Sequence, residues 1–214
     1  IAISSATIDE VGVGGGETFH AKSSRIRYVS PYGHLNSWKL DGVLAKSNDD
    51  VRQEVFVMQL ITYYDRIFRQ DKIDVWIHPY RIVSTSKTTG LIQLIPDAMS
   101  IDGLKKLDNY PGSLKAYFKM NYDYDTPSND NEGLNHPLSA YFPANTSIPY
   151  MNAIHAYLSS MAAYSVVSYL LAIKDRHNGN IMIDSIGHVI HIDFGFVFGL
   201  GGFSMIIYTY DIYI

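Results

Sequence analysis

No cysteine occurs among the 214 residues, which excludes a disulfide framework, a Cys-based zinc site and a thiol nucleophile. Neither sign of charge dominates: 17 Lys and Arg stand against 21 Asp and Glu, a formal net charge of −4, with a pI near 6.0. So mild an acidity gives no electrostatic footprint for nucleic acid, which is not an expected partner; a polyanion would have to be gripped locally. Between Gly133 and Ile173 there is no Asp, Glu, Lys or Arg, and Ile154 to Ile173 has the length of a membrane span. Ser159, Ser160, Ser165 and Ser168, with three tyrosines and His155, dilute that stretch, so a buried helix of a soluble domain is expected instead. Lys and Arg are also missing after Arg176. The first residue is Ile1 rather than Met, so a piece of a longer chain is expected, and the lack of a signal peptide says little about the whole protein.

What is present is globular in composition, 47% hydrophobic and 18% charged, and long enough for one large domain or two small lobes. Residues 1 to 24, with Gly12, Gly14, Gly15 and Gly16 among Ser and Thr, predict a flexible leading segment. The Gly-rich run lacks the Lys-Ser/Thr ending of a phosphate loop and is a linker on this reading. From Arg25 to Lys46 the pattern predicts a strand, a loop holding Ser30, Pro31, Tyr32 and Gly33, and a second strand through Trp38, Leu40, Val43 and Leu44. Asn48, Asp49 and Asp50 then cap a long amphipathic helix carrying Val51, Val55, Met58 and Ile61 to Phe68. Strands are predicted at Val75 to Ile77, Tyr80 to Ser84 and Leu91 to Ile95, the last closed off by Pro96. Leu107 to Tyr150, rich in Asn, Asp, Ser, Pro and Tyr, predicts an insertion with little regular structure.

The chemistry concentrates between Lys174 and Gly195. Two apolar runs, Ile181 to Ile183 and His188 to Ile192, flank a turn at Asp184 to Gly187. Pairing Asn180 with Asp193 centres a hairpin on that turn and sets an amide oxygen beside a carboxylate. Both are hard ligands suited to Mg²⁺ on a nucleotide, with water and phosphate completing the shell. Asp175 or His177 could accept a proton from an attacking hydroxyl, and Lys174 and Arg176 could offset phosphate charge. Singly, Asp175 or Asn178 would be turn caps and His188 or His191 satisfied strand histidines. Their convergence favours a site.

The string Asp175-Arg176-His177-Asn178-Gly179-Asn180 with Ile192-Asp193-Phe194-Gly195 resembles the catalytic and metal-binding loops of the phosphatidylinositol 3-/4-kinase superfamily. Lys174 and Gly179 look like the 4-kinases. Ser30 to Leu35 with Trp38, and Asp49-Asp50-Val51-Arg52-Gln53-Glu54, are similar to the type III beta group of those enzymes. The resemblance covers about Arg25 to Phe198, apart from the insertion. It implies an α+β, two-lobed protein-kinase-like fold. Residues 25–95 would form a small antiparallel-sheet lobe and hinge, and 96–198 an incomplete, mainly helical larger lobe. It further implies ATP and Mg²⁺ as cofactors, and transfer of the γ-phosphoryl group to the 4-hydroxyl of phosphatidylinositol. The expected location is cytoplasmic, peripheral on Golgi or other endomembranes. Small GTPase or adaptor partners would bind through regions outside this chain. Lys46 would touch the ATP phosphates, held by an ion pair to Glu54; Ser30, Tyr32 and Gly33 would cover the phosphates; Gln93 and Ile95 would bind adenine through their backbones. Asp175 and His177 would handle proton transfer and orientation, and Asn180 and Asp193 would bind Mg²⁺.

After Phe198 the family continues with a basic loop that meets the lipid headgroup, whereas this chain runs into an atypical tail, 199–214, rich in Ile and Tyr. The expectation is a truncation or a coding-frame error at that point. A nucleotide-binding pseudokinase is therefore the alternative, ahead of a phosphatidylinositol 3-kinase and of a metal hydrolase using His177, Asp184, His191 and Asp193.

Overall fold

A computed structural model describes residues 17–123 and 147–199. The Gly-rich part of the leading segment, most of the predicted insertion and the tail from residue 200 lie outside the described residues. The chain is α+β, built on two small antiparallel sheets and five helices among the described residues. Helix α1 (Phe19–Val29) precedes strand β1 (Val43–Ser47), helix α2 (Arg52–Gln70), and strands β2 (Ile82–Ser84) and β3 (Thr89–Gln93). Strand β4 (Ala98–Ser100), helices α3 (Ile101–Lys105), α4 (Leu114–Tyr122) and α5 (Ile148–Leu170), and strands β5 (Ile181–Asp184) and β6 (Val189–His191) follow.

Residues 25 to 29, predicted as a strand, are the end of α1. Thr18 caps that helix by accepting from the Ala21 N–H, and no α1 residue is buried. The Phe19 N–H ties α1 to the rest of the chain by donating to Asp97 Oδ1 at 2.8 Å, while the Arg25–Glu17 pair at 2.7 Å is local to the helix. The predicted hairpin therefore does not form. β1 pairs instead with β3, Lys46 lying opposite Gly90, in a sheet of order β1-β3-β2. Gly90 is required there, since an added Cβ would sit 2.3 Å from Val51 Cγ2. Gly90→Ala is expected to cost about 1–3 kcal/mol through overpacking, measured by denaturant unfolding; an unchanged midpoint would show that Val51 can yield.

Val75 to Ile77, predicted as a strand, is extended without a strand partner: the Trp76 N–H donates to Ser159 O of α5 at 3.3 Å. The second sheet has the order β4-β5-β6. Its β5–β6 hairpin pairs Ile181 with His191, one step from the predicted register, so Asn180 faces Ile192, whose N–H donates to Asn180 O at 3.0 Å. The cause lies in the turn, where Asp184 Oδ1 accepts the N–H groups of Ile186, Gly187 and His188 at 2.9, 2.8 and 2.8 Å and sets Asp184 opposite His188, the Asp184 N–H donating to His188 O at 3.1 Å.

The uncharged helix begins earlier than predicted, at Ile148, with Pro149 tolerated in its first turn. Among the described residues no helix is long and apolar enough to cross a membrane. α5 joins two cores. Ala163, Tyr164 and Val167 pack with Val57 and Ile61 of α2, with Ile190, and with Phe194. Tyr150 and Ala153 pack with Tyr117 and Phe118 of α4, which is regular structure inside the predicted insertion. Buried Ser160 receives the Val189 N–H at 2.8 Å and pins the hairpin to α5.

Candidate active site

Lys46 projects from the short sheet to Glu54 in the first turn of α2. Its Nζ lies 3.1 Å from Glu54 Oε1 and 3.3 Å from Asp49 Oδ2, the second being a partner the sequence did not suggest. Glu54 is 4% exposed. Burial pushes its carboxyl up from the ordinary value, against the pull of Lys46. Burial opposes the charge of Lys46 too, but attraction to Glu54, and further off to Asp193, outweighs it and holds the ammonium above its usual value. Asp193 thus lies within electrostatic reach of the Lys46–Glu54 pair, 139 residues away in sequence from Glu54.

The segment before β5 folds on itself. Asn180 is buried, and its Nδ2 donates to Asp175 O at 2.9 Å, which fixes the amide orientation and leaves Oδ1 as its acceptor. His177 Nδ1 accepts the Gly179 N–H at 3.1 Å, and His177 Nε2 lies 3.8 Å from Asp175 Oδ2. Asp175 and Asp193 both take left-handed backbone, with φ of 59° and 58°, a conformation that costs a non-glycine residue free energy and that surrounding contacts must enforce. Asn180 and Asp193 supply two hard oxygens near one end of the hairpin, a set that fits Mg²⁺ carried in on phosphates.

Arg176, expected at the phosphates, directs its donors to main-chain carbonyls. Nε donates to Lys174 O at 2.9 Å, Nη1 to Ile192 O at 2.7 Å and Nη2 to Asp193 O, and the guanidinium lies 5.3 Å from the Phe194 ring centroid. Lys174 is exposed, its N–H bonded to Phe196 O at 2.8 Å. The loop from Ser30 is closed locally: Ser30 Oγ accepts from the Tyr32 N–H and from Trp38 Nε1, both at 3.3 Å, and Arg27 Nε donates to Gly33 O at 2.8 Å. A Cβ on Gly33 would collide with Arg27 O at 2.0 Å, so this glycine serves close packing of the loop on α1. Tyr32 is exposed. Gln93 ends β3; its N–H donates to Arg81 O at 2.8 Å, its Oε1 accepts the Arg81 N–H at 3.1 Å, and Ile95 beyond it is buried.

Among the described residues no group of three or more His, Cys, Asp or Glu could hold a metal, so His177, Asp184, His191 and Asp193 do not form the ligand set that the hydrolase alternative needs. Asp184 sits in the hairpin turn, with Oδ2 2.9 Å from His188 Nδ1. His191 is stacked on Tyr164 at 4.4 Å and has no hydrogen-bond partner on either ring nitrogen. Burial, with the Arg176 charge, holds it down to about 3, so it stays neutral. Sequence reasoning also missed Gln53, whose Nε2 donates to Phe194 O at 3.1 Å and Gly195 O at 2.8 Å. Its place in the Asp49 to Glu54 motif, next to Glu54, was the available signal.

The profile of the family described as phosphatidylinositol 3- and 4-kinase matches residues 42–206. The chain belongs to that family. It is 41% identical over 184 residues to a phosphatidylinositol 4-kinase of Dictyostelium discoideum and 44% identical over 186 residues to phosphatidylinositol 4-kinase PIK1 of Saccharomyces cerevisiae. It is 40% identical over 184 residues to phosphatidylinositol 4-kinase beta 1 of Arabidopsis thaliana. Each alignment covers 85% of this chain but only 14%, 16% and 14% of the respective relative, so the chain spans about one seventh of their length. The family match contains every predicted site residue except Ser30, Tyr32 and Gly33, which precede it, and extends past Phe198, where the resemblance was expected to stop.

Proposed function

We propose that this chain carries the phosphotransfer site of a lipid kinase that moves the γ-phosphoryl group of ATP to the 4-hydroxyl of phosphatidylinositol. The observation that carries the reading is the placement of Asp193, beside the hairpin end that holds Asn180 and next to Phe194, whose carbonyl accepts at 3.1 Å from Gln53, the neighbour of Glu54 on α2. On this reading residues 25–95 form the smaller lobe and, at 91–95, the hinge, and residues 96–198 are part of the larger lobe. Gln93 and Ile95 offer backbone groups to adenine, Lys46 steadies the phosphates, and Asn180 and Asp193 hold Mg²⁺, which when bound would offset charge on the transferred group.

Of the two candidate bases, Asp175 is the better placed. Because His177 Nδ1 accepts the Gly179 N–H, a neutral His177 carries its proton on Nε2 and presents it towards Asp175. Asp175 then takes the proton from the inositol hydroxyl, and His177 orients it. A substrate resident in membranes implies a peripheral position on the cytoplasmic face of Golgi or other endomembranes, with GTPase or adaptor contacts made by other regions of the protein.

The test is Mg²⁺-dependent ATP turnover on phosphatidylinositol vesicles, with the product's phosphate position determined. Phosphatidylinositol 4-phosphate is the expected product. ATP binding without lipid phosphorylation would favour the pseudokinase; a 3-phosphate would reassign the acceptor hydroxyl.

A further inference from the structure

The backbone that presents Asp193 is gripped one carbonyl at a time. Arg176 donates to Ile192 O and Asp193 O, Gln53 to Phe194 O and Gly195 O, and the Lys174 N–H to Phe196 O. Consecutive acceptors from 192 to 196 are thus bound from three places in the chain. Two of those places, Lys174 and Arg176, belong to the neighbouring catalytic loop. The third is α2, which also carries Glu54.

We propose that Gln53 is a positioning residue: its side-chain amide ties α2, and through Glu54 the Lys46 ammonium, to the backbone that sets Asp193. The proposal rests on the kinase reading for its consequence in catalysis. Gln53 and Glu54 are successive on the helix and so point about 100° apart. One turn of α2 therefore reaches both the Asp193 segment and the strand lysine, and a shift of that turn disturbs both contacts together. A neutral primary amide is the side chain suited to this task. It offers two N–H groups in one plane, which two adjacent carbonyls can share, and brings no net charge next to Asp193. Glutamate in its place would face two carbonyl acceptors with acceptors of its own. The left-handed φ of Asp193 needs such enforcement, because a free chain would relax away from it.

The experiment uses the full-length protein with Gln53→Leu, which removes both donors at similar volume, and Gln53→Glu. Hydrogen–deuterium exchange is followed across residues 192–198, together with ATP affinity at a series of Mg²⁺ concentrations and the Mg²⁺ half-saturation of turnover. The expected result for Gln53→Leu is exchange in that segment roughly tenfold faster. The Mg²⁺ half-saturation should rise on the order of 10- to 100-fold, the scale on which outer partners act on metal sites. The KM for ATP at saturating Mg²⁺ should rise as well, by less than the Mg²⁺ half-saturation, because the same turn carries Glu54 and through it Lys46, and Gln53→Glu should show the larger change. Unchanged exchange and unmoved Mg²⁺ dependence, even with a lower Tm, would overturn the proposal and leave Gln53 a packing residue. Should Gln53→Leu not fold, Gln53→Asn, one methylene short, must show the same direction of change. Exchange and ATP affinity need no turnover: a wild type inactive on lipid whose Gln53 variants still lose Mg²⁺-dependent affinity would fail the kinase reading and keep this one.

Discussion

Asp193→Asn is expected to lower lipid phosphorylation by ~10³-fold or more while leaving the fold intact. The substitution keeps side-chain shape and removes the charge. Asparagine also tolerates left-handed backbone, so the φ of 58° at this position adds no new strain, as alanine would. Asp193 is exposed, and its one described side-chain hydrogen bond, Oδ1 accepting the Gly195 N–H at 3.3 Å, can be kept by the amide oxygen. Exposed substitutions of this kind usually stay within about 0.5 kcal/mol, a Tm change of about 2 °C in a chain of this size. Electrostatic groups that act on the transferring phosphoryl are worth far more, about 10²–10⁵ in rate. The measurement is turnover at saturating ATP across a Mg²⁺ series, with Tm read in parallel. Retained activity would show that the cation is held elsewhere, and Asn180 would lose its role with it.

The elements that the sequence made legible are those whose burial follows a period. α2 and the β5–β6 runs have apolar residues that the cores take up, and Asp-Phe-Gly marks the chemistry beside them. α1 buries none of its residues, so no apolar stripe announced it, and the reading turned its last turn into a strand. Val75 to Ile77 shows the opposite failure: apolar residues predict burial correctly but not the partner, which is α5 rather than a neighbouring strand. The register of the hairpin slipped by one because three N–H groups converge on the Asp184 carboxylate, a local preference that counting from the middle of a turn does not see. Lys46 and Glu54 were found through motif resemblance alone, since any surface pair shares their spacing. The Gln53 and Arg176 contacts were out of reach, because their acceptors are main-chain carbonyls, which every residue has. Its charge beside the candidate base suggested a place for Arg176 at the phosphates; the structure turns it towards the backbone of the metal-binding segment.

Lys46→Met separates what the Lys46–Glu54 pair does for the fold from what Lys46 does for ATP. With the ammonium gone, Glu54 remains 5% exposed at its side chain and keeps only the influences that favour its protonated form, namely burial and the charges of Asp193 and Asp49. Breaking a buried pair from one side costs about 3–5 kcal/mol when the remaining charge stays ionised, and that range is the expected loss at pH 7.5. The carboxyl already titrates above its ordinary value in the folded wild type, so folding retains a proton that the unfolded chain releases, and stability falls as pH rises through the interval above 4.5. Removing Lys46 lifts the upper end of that interval. The variant should therefore lose more stability between pH 5 and 7.5 than the wild type does, measured by urea unfolding at both pH values. Equal losses in the two proteins would mean that Glu54 does not depend on Lys46. Adding Glu54→Gln to the variant removes the stranded charge and should restore most of the stability. Turnover should stay lost in the double variant, because a methionine cannot meet the phosphates; recovered turnover would confine Lys46 to the role of counterion for a buried acid.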